Sequence, residues 1–195
     1  MSVLRGRRLT LRSLVPSDFP SYCEVRLRNG DWLTKWEPRR LVGQPDPADS
    51  YEAFASRCSA RQRDRQLGAG YGFGIFVGPT LVGEINLSSV IRGAFQSGHV
   101  GYWVDQSHAG QSYCPEAVVI MARFAFEDLA LHRIQISIIP RNHASRRVVE
   151  KLSLRDEGIA VGYLQIDGIW EDHVRYAITS DEWAFRSGDL ARQWL

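Results

Sequence analysis

Val100-Gly101-Tyr102-Trp103-Val104-Asp105-Gln106-Ser107-His108-Ala109-Gly110-Gln111-Ser112-Tyr113-Cys114-Pro115-Glu116-Ala117 reads as a strand, a short polar turn and the first turn of a helix. A helix start carries backbone N–H groups without intrahelical partners and a partial positive charge, so it suits a phosphate. Strand, turn and open helix start, in that order, predict a pyrophosphate-bearing ligand lying beside the end of a strand. Pro115 fits the first helical turn, where its missing N–H removes no intrahelical bond.

Downstream, residues 115–129 form an apolar helix carrying Ala117, Val118, Met121, Phe124 and Phe126. Residues 133–139 read as a strand, with Ile134, Ile136 and Ile138 on one face. A short helix over 142–152 follows, then strands over 162–166 and 172–178. Upstream, 71–77 and 80–87 are strands flanking Gly78-Pro79, a hairpin turn. Leu9 to Leu14 alternates like an edge or half-buried strand, and Pro16-Ser17-Asp18 breaks it, with Ser17 or Asp18 available to cap the helix through Tyr22 to Leu27. Asn29-Gly30 is read as that helix's end, because both residues tolerate a left-handed cap. Trp32 to Pro38 is a second short element, and a helix runs from Ser50 through Arg65 with Tyr51, Phe54, Ala55 and Cys58 on one face. Seven strands with interspersed helices predict an α+β domain spanning 1–195 around a mixed sheet.

The order of these motifs resembles the GNAT superfamily of N-acetyltransferases, and in particular its ribosomal-protein-alanine N-acetyltransferase subgroup. The quoted stretch is similar to the family's acetyl-CoA loop. Pro140-Arg141-Asn142-His143-Ala144-Ser145 with Val149-Glu150-Lys151-Leu152 resembles its Asn-x-x-Ser helix, and Tyr163 through His173 its C-terminal hairpin. Leu9-Thr10-Leu11-Arg12, the Asp18 turn and Trp36-Glu37-Pro38 extend the resemblance over nearly the whole chain. It implies the GNAT fold, acetyl-CoA as cosubstrate, no metal, and an amine acceptor that is a protein N-terminus or a small molecule.

The resemblance also implies roles for particular residues. Trp103 and Val104 would lay backbone groups along the pantetheine arm, and Gly110, Gln111, Ser112 and Tyr113 would cradle the pyrophosphate. Asn142 would contact the arm; Ser145 would lie near the sulfur and help protonate the leaving thiolate. Glu84, on the preceding strand, is the candidate base that takes the ammonium proton, with Asp105 and His99 behind it. Trp36 and Glu37 would wall the acceptor cleft, Glu37 attracting an α-ammonium. Other readings stay open beside these: Asn142 as a helix cap, Ser145 as a surface residue, Glu84 as an exposed sheet residue, Trp36 and Trp103 as packing. The loop departs from the family pattern at Ala109, Ser112 and Cys114; a positive φ at Ser112 would be strained by its Cβ.

The 195-residue chain with 44% hydrophobic content can bury one core. A net charge of +2 gives no concentrated basic field, which argues against direct nucleic-acid binding, and Arg61-Gln62-Arg63-Asp64-Arg65 reads as a solvated helix face. Cys23, Cys58 and Cys114 are odd in number and lack Cys-x-x-Cys spacing, so reduced thiols in a cytoplasmic protein are expected. No stretch approaches the ~20 apolar residues of a membrane span, and no signal peptide is read. The expected activity is direct acetyl transfer to the α-amine of a ribosomal protein; no cysteine has a neighbouring histidine that would mark a covalent intermediate. A homodimer is left open as the assembly. Two alternatives remain, a small-molecule amine acetyltransferase of the same fold and a non-catalytic module with an eroded loop.

Overall fold

Alternating apolar residues build a single eight-stranded sheet in a computed structural model that describes residues 3–41 and 43–195. The N-terminal hairpin is β1 (Val3–Arg5) and β2 (Leu9–Arg12), whose Leu9 and Leu11 are fully buried. Next come α1 (Phe19–Arg28), the short α2 (Gly30–Leu33) and α3 (Tyr51–Gln66), then β3 (Tyr71–Val77), β4 (Thr80–Ile91) and β5 (Ser97–Val104). α4 (Tyr113–Arg123) runs into a π turn over Phe124–Asp128 and leads to β6 (Arg133–Ile138). α5 (His143–Lys151), the long hairpin β7 (Arg155–Ile166) and β8 (Ile169–Thr179), and α6 (Ser180–Trp194) complete the chain. The sheet order is β1-β2-β3-β4-β5-β6-β8-β7, antiparallel everywhere except between β5 and β6.

The sheet has one strand more than the seven expected. The addition is β1, three residues at the sheet edge, too short to show an alternation of its own. α6 is also absent from the expected elements; Thr179 and Glu182 close a capping box at its start, and Trp183, Leu190 and Trp194 seat it on the core. One face of the sheet packs Phe73, Ile85, Val100, Ile134 and Tyr176 against α4 and α6. The other face carries a smaller cluster in which Tyr22 and Phe54 of α1 and α3 meet Phe76 and Leu81. Ser50 Oγ accepts from the Ala53 N–H and caps α3. No helix among the described residues is long and apolar enough to cross a membrane.

α1 does end at Asn29, but not through the left-handed cap expected there. Asn29 sits at φ −109° and Gly30 already belongs to α2. The residue is buried because its side chain is a junction: Nδ2 donates to Val25 O and Asp105 Oδ1, each at 2.8 Å, and Oδ1 accepts from the Gln106 N–H. Asp105 accepts as well from Arg28 Nη2 at 2.6 Å and Ser107 Oγ at 2.7 Å, with His108 Nδ1 2.9 Å away. The end of β5 is thereby tied to the α1–α2 corner.

That tie opens the sheet. β5 and β6 pair at only three positions, Ser97↔Arg133, Gly98↔Ile134 and His99↔Gln135. β6 continues along β8 through six pairs to Ile138, whereas β5 follows β4 and its anchored end away from β6. The two parallel strands splay like a V.

Candidate active site

A cavity of about 810 Å³ fills the splay, a size suited to a ligand larger than a simple amine. Its floor is β5, one end is the start of α4, and its two walls are the α2 corner (Trp32, Trp36) and α5 (Ser145, Arg147).

Strand alternation decides which backbone groups face the cavity. The Asp105 N–H donates to Val82 C=O across the β4–β5 ladder. Alternation along an antiparallel pair then turns Gly101 and Trp103 backbone groups toward β4 and those of Tyr102 and Val104 toward the opened side. Trp103 was expected to present its backbone there; the ladder register assigns that part to Tyr102 instead, while Trp103 lines the cavity from β5. Val104 does face the opening, with its carbonyl already accepting from Trp32 Nε1 at 3.1 Å.

At the α4 end Gly110 (φ +78°) and Ser112 (φ +62°) both adopt left-handed backbone, so the serine takes the conformation that its Cβ disfavours. Ala109, Gly110, Ser112, Tyr113 and Cys114 line the cavity; Gln111 does not, and its carbonyl turns away to accept from Arg8 Nη1 at 2.9 Å. Burial pushes the Cys114 thiol up to about 12, so it stays protonated and packs as a small apolar group. Two cations face this end from α5: Arg147, and Lys151, whose Nζ donates to Ser112 Oγ at 2.8 Å. Sequence reasoning misses both, although they lie on the helix of the Asn-x-x-Ser motif, one turn apart.

Both candidate residues of that motif border the cavity. Asn142 is also the cap of α5, its Oδ1 accepting from the Ser145 N–H at 3.1 Å. Ser145 Oγ lies 3.0 Å from the Tyr102 hydroxyl, which also donates to Ser145 O at 3.2 Å. Burial raises the Tyr102 phenol far above its ordinary value, the hydrogen bond with Ser145 offsetting only part of this, so the phenol remains a donor through neutral pH. In the sequence Tyr102 shows only its place in a strand; its role depends on an α5 contact 43 residues away.

The carboxylates sit differently from expectation. Glu84 does not line the cavity. Arg57 Nη2 donates to both of its oxygens at 2.8 and 2.9 Å, and Trp103 Nε1 donates to Oε2 at 3.2 Å. A carboxylate with its lone pairs so occupied, away from the cavity, is a tether for Trp103 and not a free base. Glu37 does line the cavity but forms a two-point pair with Arg26, whose guanidinium lies 5.2 Å from the Trp103 ring centre. Trp36 is a cavity wall flanked by the Lys35 and Arg141 cations. Neither of the other two base candidates is free to accept a proton from an amine in the cavity. Asp105 is held in its junction, and His99 stands outside the cavity, its basicity lowered by burial and by Arg133. The β4 side chain that does reach the cavity is Asn86, two residues on from Glu84. It lies opposite Gly101, where a Cβ would come within 3.0 Å of Asn86 Oδ1. Strand alternation places Asn86 on the same face of β4 as Glu84.

The C-terminal hairpin orders its own end of the sheet. Asp172 Oδ1 accepts from the Gly162 N–H at 2.8 Å, and buried His173 meets the Tyr163 ring edge-on at 5.7 Å.

Comparison with known proteins agrees with this geometry. Residues 8–155 match the family model described as acetyltransferase (GNAT) domain. The chain is 34% identical over 185 residues to the "Probable N-acetyltransferase YjcK" of Bacillus subtilis, covering 92% of this chain and 98% of that one. It is 30% identical over 179 residues to the [ribosomal protein uS5]-alanine N-acetyltransferase of Escherichia coli, covering 90% of each. Among solved structures, Mycobacterium smegmatis RimJ in complex with CoA-disulfide superposes with a TM-score of 0.84 at 30% identity, covering 93% of this chain and 87% of that one. A splayed parallel strand pair, an open helix start beside it and a family match across three quarters of the residues lead to one conclusion: the chain belongs to the GNAT acetyltransferases and is an N-acetyltransferase that uses acetyl-CoA.

Proposed function

We propose that the protein acetylates the N-terminal α-amine of a protein chain beginning with a small residue such as alanine or serine, by direct transfer from acetyl-CoA. The observation that carries this reading is the continuity of one cavity, from the start of α4 along the opened side of β5 to the Trp32 and Trp36 wall. The E. coli relative, named for alanine of ribosomal protein uS5, supports the acceptor class.

Acetyl-CoA would supply the acyl thioester, and the residues present suit it. Backbone N–H groups of Gly110, Ser112 and Tyr113, with Arg147 and Lys151, offer donors and positive charge to a pyrophosphate. Tyr102 and Val104 offer an unpaired strand side to an extended amide-bearing arm, with Asn142 beside it. Ser145, held by Tyr102, is placed to donate a proton to a departing thiolate. On the acceptor side Asn86 offers its carboxamide to the amine, and Trp36 and Glu37 form the wall. Glu84 acts at one remove, fixing Trp103 and neutralising Arg57.

Mass spectrometry of peptides beginning Ala, Ser or Met, of N-terminally blocked lysine peptides and of small polyamines, each with acetyl-CoA, tests this. Acetylation confined to the free α-amine of the Ala and Ser peptides is expected. Preference for the small amines would assign the protein to the alternative acceptor class. No shift of the melting curve with either acetyl-CoA or CoA would remove the coenzyme assignment itself.

A further inference from the structure

Ser112 has φ +62° and ψ +26° at the residue that caps α4, and its side chain makes no capping bond to that helix. Residues with a Cβ leave this region readily unless surrounding contacts hold them there. Two of those contacts come from the flanking helices, the Glu116 N–H of α4 donating to Ser112 O at 3.4 Å and Lys151 Nζ of α5 to Ser112 Oγ at 2.8 Å, and the rest come from the turn joining β1 and β2. Arg8 Nη1 donates to Gln111 O at 2.9 Å and Nη2 to Ser112 O at 3.3 Å. Its guanidinium lies 4.9 Å from the centre of the Tyr113 ring.

Arg8 is itself fixed from α4. Its Nε donates to Glu116 Oε2 at 2.8 Å, while the backbone N–H groups of Arg8 and Leu9 donate to Glu116 Oε1 at 2.6 and 3.0 Å. The Glu116 side chain is 1% exposed, against 42% for Arg8. Gly6 makes the close approach possible: a Cβ there would stand 2.6 Å from Ile120 Cδ1 and 2.7 Å from Glu116 Oε1.

A trans peptide is planar, with its C=O and the next residue's N–H pointing opposite ways. Pulling the carbonyls of Gln111 and Ser112 toward Arg8 therefore turns the N–H groups of Ser112 and Tyr113 the other way, toward the cavity that both residues line. We infer that Arg8 is a positioning residue for coenzyme binding: through two loop carbonyls it holds Ser112 left-handed and aims two amides at the pyrophosphate. Arg8 stands outside the cavity lining and needs no contact with the ligand. The inference rests on the coenzyme assignment above.

The test is isothermal titration of the full chain with CoA, alongside steady-state kinetics. Arg8→Ala is expected to weaken CoA about tenfold, corresponding to about 1.4 kcal/mol, while kcat at saturating acetyl-CoA changes less than about twofold. Arg8→Lys keeps the charge but cannot span two carbonyls and Glu116, so it is expected to lose about as much. Glycine is at ease at positive φ, so in a Ser112→Gly background the further change Arg8→Ala is expected to cost less than about threefold.

Wild-type binding retained in Arg8→Lys would mean that charge alone matters and would overturn the inference. So would an Arg8→Ala loss just as large in the Ser112→Gly background, or no loss at all. Failure of the wild-type protein to bind CoA is a separate outcome that strikes the coenzyme assignment instead. Circular dichroism of each variant checks folding, and Arg8→Lys carries the test alone if Arg8→Ala does not fold.

Discussion

Replacing Glu84 by glutamine separates two accounts of the acceptor side. As a base in contact with the amine, Glu84 would contribute roughly 10²–10⁴-fold to turnover. As a tether it holds Arg57 and the Trp103 indole. Glu84 and Arg57 side chains are 13% and 23% exposed, between a surface pair and a fully buried one. An exposed pair contributes at most about 1 kcal/mol, and breaking a buried one costs about 3–5 kcal/mol. The glutamine keeps one acceptor for Trp103 Nε1 but leaves Arg57 uncompensated beside the Arg61 cation of the same helix. About 2–3 kcal/mol of destabilisation follows, or roughly 4–12 °C in melting temperature for a chain of this size. Differential scanning calorimetry gives that number, and kcat and kcat/KM across pH 6–9 give the chemistry. The tether account expects the melting shift, a rise in acceptor KM, and a kcat within about tenfold of wild type with the pH profile unchanged in shape. A melting temperature within about 2 °C of wild type, together with a kcat loss above about 10², would refute it and restore Glu84 as the base.

Asp105→Asn is expected to destabilise the protein by about 2–4 kcal/mol at pH 7, since an amide cannot accept from Arg28, Asn29 and Ser107 together. Burial alone would raise the Asp105 carboxyl, but hydrogen bonds from Arg28, Asn29, Ser107 and His108 hold it well below the usual carboxylate range. Its contribution is therefore fully present above pH ~4 and lost as pH falls through the lower folded value, so urea midpoints of wild type and variant should stay evenly separated from pH 8 to 5 and converge below about pH 4. Parallel curves down to pH 2 would remove this linkage. Tyr102→Phe removes the hydroxyl that holds Ser145 and is expected to lower kcat about three- to tenfold with CoA affinity nearly unchanged, read by stopped assays and titration. Trp32→Phe deletes the bond to Val104 C=O, a change of about 1 kcal/mol, and should raise acceptor KM about fivefold while leaving CoA binding intact.

Much of the scaffold is legible in the sequence because it rests on local period. The alternating isoleucines of β6, the Gly78-Pro79 turn and the apolar helix after Ser112 each announce themselves within a dozen residues. β1 does not, being three residues paired at an edge, and α6 follows the last legible strand without a motif. The site divides in the same way. Gly110, Ser112, Asn142 and Ser145 can be located from motif spacing, and all border the cavity. The fate of the carboxylates cannot, because it depends on arginines brought from other helices: Arg57 from α3 to Glu84, and Arg26 from α1 to Glu37. The assignment of Trp103 backbone fails for a subtler reason. Which residues of β5 face the opening depends on ladder register, a parity fixed by the neighbouring strand and invisible in β5 alone.

The three-pair junction between β5 and β6 has a mechanical consequence. Across the sheet these six residues are the only ladder joining the N-terminal five strands to the C-terminal three among the described residues. An extended molecule lodged in the V would add rungs to that seam and brace the halves against each other. Amide-exchange rates at Tyr102 and Val104 should then report the state of the seam, slowing when it is bridged and quickening when the bridging molecule leaves.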